Sequence, residues 1–167
     1  QLLPEATYSG PVMTVGGKEF SVALGNHNVA APAGYRSYVH VTSGSGKGFI
    51  ADIEQTTSTY IRCEKDLTGW VTPGTTILVR SHPRLGDLFG PDNKFQLTAG
   101  TDAAAADNIV LWDPDNQRER VYYYHSGRSR WEEEGIAADA NAATVRYPYG
   151  LYIVRRSEGT RRIGLSG

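Results

Sequence analysis

From Asn108 to Glu133 the chain alternates apolar and polar positions more regularly than anywhere else. Ile109, Leu111 and Asp113 lie in one phase and Val110 and Trp112 in the other, before a turn at Asp113-Pro114-Asp115-Asn116. The pattern resumes through Val121-Tyr122-Tyr123-Tyr124-His125, turns at Ser126-Gly127 and runs out again through Arg130-Trp131-Glu132. Period-two alternation, β-branched and aromatic enrichment, and Pro/Asp/Asn/Gly punctuation predict a three-strand antiparallel meander. Its middle strand carries bulky groups in both phases, so it is expected to be central and covered on both faces.

The same reading gives short strands along the rest of the chain. Pro11–Val15 and Lys18–Leu24 flank a Gly16-Gly17 hairpin turn, and Phe20, Val22 and Leu24 share a face. Tyr35–Thr42, Gly48–Ile53, Thr59–Glu64 and Thr76–Arg80 follow, with Thr72-Pro73-Gly74 suited to a type II turn. His82–Phe89 is the one segment with a helical spacing, enough for a turn or two. Phe95–Thr98, Thr144–Tyr147, Leu151–Arg155 and Arg161–Leu165 read as further strands, and Ala99–Asp107 as a loop. The prediction is an all-β fold, an antiparallel sandwich or partly closed barrel of about a dozen short strands with one short helical turn. Its core should draw on Phe20, Val22, Val39, Val41, Phe49, Ile53, Ile61, Ile77, Val79, Ile109, Leu111, Val121, Tyr123, Leu151 and Ile153, the in-phase positions. Residues 1–9 read as an extended arm, with Pro4 inside it and no local hairpin partner, ahead of a single β domain over residues 10–167.

Composition narrows the function classes. With 17 basic and 18 acidic residues the 167-residue chain is nearly neutral, which argues against nucleic acid or an anionic membrane as principal partner. No apolar run is long enough to span a bilayer. A single cysteine, Cys63, excludes an intrachain disulfide and a multi-cysteine metal site; in phase with Ile61, it is expected to be a small buried hydrophobe. The chain begins at Gln1 rather than Met, so it is expected to be a processed or trimmed form.

Candidate chemistry is sparse. His27, His40, His82 and His125 are scattered without metal-ligand spacing and are expected at surfaces or strand edges. The turns at Asp113–Asn116 and Pro91-Asp92-Asn93 offer oxygens to a hard cation but lack the spacing of a calcium loop, so ordinary turn chemistry is preferred. Glu132-Glu133-Glu134 reads as a solvated charge run at a strand end. Gly44-Ser45-Gly46-Lys47-Gly48 has neither the spacing nor the following helix of a phosphate loop. Neither a catalytic constellation nor a metal or cofactor site is expected. Trp70, Trp112, Tyr122, Tyr124 and Trp131 offer rings for stacking sugars, although burial in a core or a subunit interface is the preferred reading.

Several blocks, taken in order, resemble a family of uncharacterised exported β-rich proteins of environmental bacteria. They are YRSYVHVTSGSGKGFIADI (Tyr35–Ile53), DLTGWVTPGTTILV (Asp66–Val79), LGDLFG (Leu85–Gly90), the stretch Val121–Trp131 and GLYIVR (Gly150–Arg155). The resemblance implies export, hence an extracellular or cell-surface location, and a β fold; it brings no catalytic residues. Members usually carry a further β-rich segment before the part that resembles Leu2–Val15, so the first strand is expected to be trimmed here or supplied by something else.

Together these features predict a non-enzymatic structural subunit, self-associating head-to-tail into an extracellular filament or surface assembly. The assembly residues would be Gln1, Leu2, Leu3, Pro4 and Tyr8, adding an extended strand to a neighbour's open sheet edge. A secreted carbohydrate-binding β-sandwich module is the alternative, with glycans as partners. There is no Asn-x-Ser/Thr sequon, and Thr56-Thr57-Ser58-Thr59 is the expected O-glycan site if the surface is decorated.

Overall fold

The computed structural model describes residues 5–22, 29, 31–57 and 60–156. The fold is nearly all β, 43% strand against 3% helix, which agrees with the alternation read from the sequence. The strands are β1 (Ala6–Gly16), β2 (Glu19–Val22), β3 (Ser37–Val41), β4 (Ile50–Thr56), β5 (Ile61–Cys63), β6 (Thr76–Ser81), β7 (Asn108–Asp113), β8 (Arg118–His125), β9 (Arg130–Glu133) and β10 (Leu151–Val154); α1 is Leu85–Phe89. Where alternation alone predicted one domain behind an arm, the chain gathers into two compact units that meet in sequence between His82 and Pro83.

The first unit is a closed antiparallel barrel in the order β1-β2-β5-β4-β3-β6, with β6 returning to β1. Two strands make its corners. β1 pairs with β6 from Ala6 to Pro11 and with β2 from Val12 to Gly16, and its register shifts between Ala6 and Tyr8 and again between Val12 and Thr14. β4 pairs with β3 through Ile50–Asp52 and with β5 through Ile53–Thr56, shifting between Ile53 and Gln55. An extra residue in one strand bends it and tightens its twist, so the same strand serves two neighbours and the sheet closes on itself. The strict alternation of β6 fills the interior: Ile77 and Val79 are fully buried while Thr76, Leu78 and Arg80 are only half-buried. Tyr8, Val12, Phe20, Val39, Val41, Ile61, Cys63, Leu67 and Val71 complete that core. Gly46 lies against the backbone of Trp70, where a Cβ would collide with the Trp70 carbonyl.

The second unit is a four-stranded antiparallel sheet ordered β10-β7-β8-β9, the predicted meander plus one strand. Ile109, Leu111, Tyr122, Trp131, Leu151 and Ile153 form one face, covered by Leu85, Leu88 and Phe89 of α1 and by Leu97 and Val145. The Trp131 indole donates to the Gly90 carbonyl at 2.7 Å, fixing the end of α1 to β9. Gly90 itself has φ 77°, a positive value that favours glycine, and its N–H donates to the Gly86 carbonyl where the helix ends. On the opposite face Tyr123 packs with Ala103 and Ala106 of the 101–107 loop, so the middle strand is covered on both sides at that end, as expected.

Two predicted strands do not form. At Phe95–Thr98 the buried Asn93 side chain donates to the Leu97 carbonyl and accepts from the Leu97 amide, holding the segment as a turn. Thr144–Tyr147 is reduced to a single bridge between Thr144 and Arg84. The predicted Arg161–Leu165 strand lies outside the described residues.

Candidate functional site

The sequence-predicted aromatics separate. Trp131 and Tyr122 are fully buried and Tyr124 half-buried, its ring edge-on to Trp131 at 5.4 Å, so these three build the second core. Trp70 is 49% exposed and stacks on Phe49 in the barrel unit at 5.0 Å and 12°. Trp112 is 41% exposed on the four-stranded sheet.

Register shows what surrounds Trp112. It faces Glu119 directly across β7–β8, and Val110, in phase with Trp112, faces Tyr152 across β7–β10 and Val121 across β7–β8. Paired residues in an antiparallel ladder share a face. Trp112, Glu119, Tyr152, Val110 and Val121 therefore lie together on the face opposite α1. Tyr152 is 49% exposed, and its hydroxyl donates to Glu119 Oε1 at 2.6 Å. The carboxylate's hold on that proton raises the Tyr152 pKa. Since β10 and β8 flank β7, the Tyr152 ring crosses β7 to make this bond, above the buried Val110. The result is two open rings, an aliphatic floor and one carboxylate. Tyr152 and Glu119 carried no sequence signal of their own; only cross-strand register brings them to Trp112.

The two ends of this sheet differ. Beyond β9 the chain turns back: Ile136 bridges Glu133, and Ala140 N–H donates to Trp131. β10 ends the sheet on the other side, and among the described residues no strand pairs with its outer edge. Of the predicted assembly residues, Gln1, Leu2, Leu3 and Pro4 lie outside the described residues. Tyr8 is buried in the barrel core, its hydroxyl donating to the Pro11 carbonyl at 3.1 Å, because its strand partner is β6, about seventy residues along the chain.

The barrel unit carries an open polar groove of about 410 Å³ lined by residues including Tyr35, Arg36, Ser37, Glu54, Gln55 and Glu64. Beside it His82, wholly buried, bonds through Nε2 to Asp52 Oδ1 at 2.8 Å, while Arg36 pairs with Glu64 and approaches Asp52 at 3.8 Å. Among the described residues the buried Ser37 and Ser81 hydroxyls have no hydrogen-bond partner, and neither is paired with His82 as a nucleophile with its base.

No protein-family model, curated protein or solved structure matches the chain.

Several predicted environments need correction. His82 and His125 are buried rather than at a surface; His125 Nδ1 accepts the Gly127 and Arg128 amides at 3.1 and 3.2 Å, closing the β8–β9 turn. His40 is half-buried, with its pKa lowered by burial and by Arg80, and His27 lies outside the described residues. The acidic run is not a solvated edge. Glu132 and Glu133 are buried, Glu132 between Arg128 and Arg130 and Glu133 against Arg120, and only Glu134 is exposed. Asp113 spends its carboxylate on the amides of Asp115 and Asn116 and on the Asn116 side chain, the turn chemistry preferred over calcium. Among the described residues no cluster of His, Cys, Asp and Glu is arranged to hold a metal, and no helix is long and apolar enough to cross a membrane. At the predicted O-glycan site Thr57 closes a turn, accepting the Tyr60 amide at 3.1 Å, and Ser58 and Thr59 lie outside the described residues.

Proposed function

We propose that this chain is a non-catalytic structural subunit of an extracellular filament or surface assembly, joined head-to-tail by strand addition at β10. The observation that supports this reading is the β10 edge, which no strand covers among the described residues. Barrel closure consumes the pairing capacity of β1 to β6, and the returning 134–140 segment blunts β9. Among the described residues the outer edge of β10 is then left with backbone donors and acceptors that can template another segment. The complementary segment is 1–4, with apolar Leu2 and Leu3. Fully extended it spans about 13 Å, the length of the four-residue β10. A segment of one copy on an edge of the next is a heterologous contact, which propagates instead of closing. Burying two leucines would contribute roughly 3–6 kcal/mol before association entropy. The resemblance to exported proteins supports the location.

The test is sedimentation and negative-stain microscopy of the full chain over a concentration series, beside a chain lacking residues 1–4. Fibres from the full chain, lost on deletion and shortened by excess peptide of residues 1–7, are the expected result. Monomers at every concentration, or unchanged fibres from the shortened chain, would overturn it.

A further inference from the structure

We infer that the outer face of the four-stranded sheet around Trp112, Tyr152 and Glu119 is a saccharide-binding site, taking one or two pyranose rings of an oligo- or polysaccharide. This assignment stands apart from the polymerisation reading, which uses the backbone edge of β10 and not this face. Sugars present two chemistries at once: flat patches of C–H that settle on aromatic rings, and hydroxyls that need acceptors and donors at the rim. The site offers both. Trp112 and Tyr152 are the two largely open rings of this sheet, on adjacent strands and in one face. Glu119, directly opposite Trp112, is exposed and carries acceptor lone pairs beyond the one used by Tyr152. The hydrogen bond from Tyr152 holds that ring in one orientation across β7, so little rotamer freedom remains to be lost when a ligand stacks on it.

Size decides the occupant. An aromatic side chain carries 150–250 Å² of surface, so two rings open by 41% and 49% present only about 200 Å² between them. A protein partner or a second copy needs about 800 Å² per side for a stable contact, and at this face it would meet the charged Glu119 beside the rings. One or two sugar rings match the patch; a protein face does not.

Binding is read by intrinsic tryptophan fluorescence and calorimetry with cellohexaose, xylohexaose, laminarihexaose and chitohexaose, and by co-sedimentation with the corresponding insoluble polysaccharides. At least one should bind, with a change in tryptophan emission. Trp112→Ala and Glu119→Gln should each weaken that binding at least tenfold. Tyr152→Phe keeps the ring but loses its tether and should weaken it several-fold. Trp70→Phe, in the barrel unit, should leave affinity unchanged. Circular dichroism of each variant identifies any that fails to fold, and Glu119→Gln, an exposed isostere, keeps the test decisive if Trp112→Ala does. Absence of binding across the whole panel, or retention of full affinity by Trp112→Ala, would overturn the assignment. So would variants that change the oligomeric state while saccharide affinity stays at the wild-type value, since the face would then be a contact between copies.

Discussion

Replacing Glu132 by Gln removes the charge from the most enclosed acid described in the second unit. Its side chain is 1% exposed and accepts Arg128 Nε and Nη2 at 2.6 and 2.7 Å and Arg130 Nε at 2.8 Å. Those bonds, Arg128 first, outweigh burial and hold its pKa down at about 2, against an ordinary 4.5. At about 1.4 kcal/mol per unit the shift corresponds to roughly 3 kcal/mol. Arg128 and Arg130 are 45% and 32% exposed, so solvent screening reduces the usable part to about 1–2 kcal/mol. A depressed folded pKa gives stability that is fully present above pH 4.5 and drains away as pH falls toward 2. The wild-type chain should therefore exceed Glu132→Gln by about 1–2 kcal/mol at pH 7, and the gap should close between pH 4.5 and 2. The assay is urea unfolding followed by Trp131 fluorescence in a Trp70→Phe, Trp112→Phe background, at a series of pH values. Equal stabilities at pH 7, or a gap that persists unchanged at pH 2, would refute the reasoning.

Trp131→Phe keeps the ring in the second core but leaves the Gly90 carbonyl without its donor; urea unfolding should show a loss of about 2–3 kcal/mol, the cost of a buried unpaired polar group plus lost volume. Cys63 is wholly buried with its thiol pushed up to about 12, chiefly by desolvation; intact mass should show no alkylation by iodoacetamide at pH 8 in the folded chain and complete alkylation in urea.

Local pattern made the strands legible and long-range closure illegible. The meander was plain because its three strands and two turns are contiguous, and period-two phase alone picks out Ile109 and Leu111; on β8 it selects the buried Tyr123, whereas Tyr122 is the residue that shares their face. Ala6–Ser9 looked partnerless because β6 lies some seventy residues later, and nothing in either segment names the other. The division into two compact units was hidden for a similar reason: the strand patterns are alike on both sides of His82, and only pairing shows that β1–β6 close among themselves. Glu132 and Glu133 misled because a charge run reads as solvent-facing until the arginines that neutralise it are placed, Arg120 on β8, Arg128 in the β8–β9 turn and Arg130 on β9. The saccharide face was half visible. Trp112 stood out as an aromatic, whereas Tyr152 and Glu119 gain meaning only from the β10-β7-β8 register.

The double duty of β1 sets an order of events as the chain leaves the ribosome. The segment Ala6–Gly16 emerges well ahead of its second partner, Thr76–Ser81, which appears only after some sixty further residues. Until then the β1–β2 hairpin has one satisfied side and one bare side, with Tyr8 and Val12 lacking the core that buries them. Closing so long a loop is slow relative to local hairpin formation, because the entropy of bringing distant segments together is lost before the contacts form. The nascent barrel therefore stays an open ribbon, with the β6-facing edge of β1 unpaired, until β6 has been made.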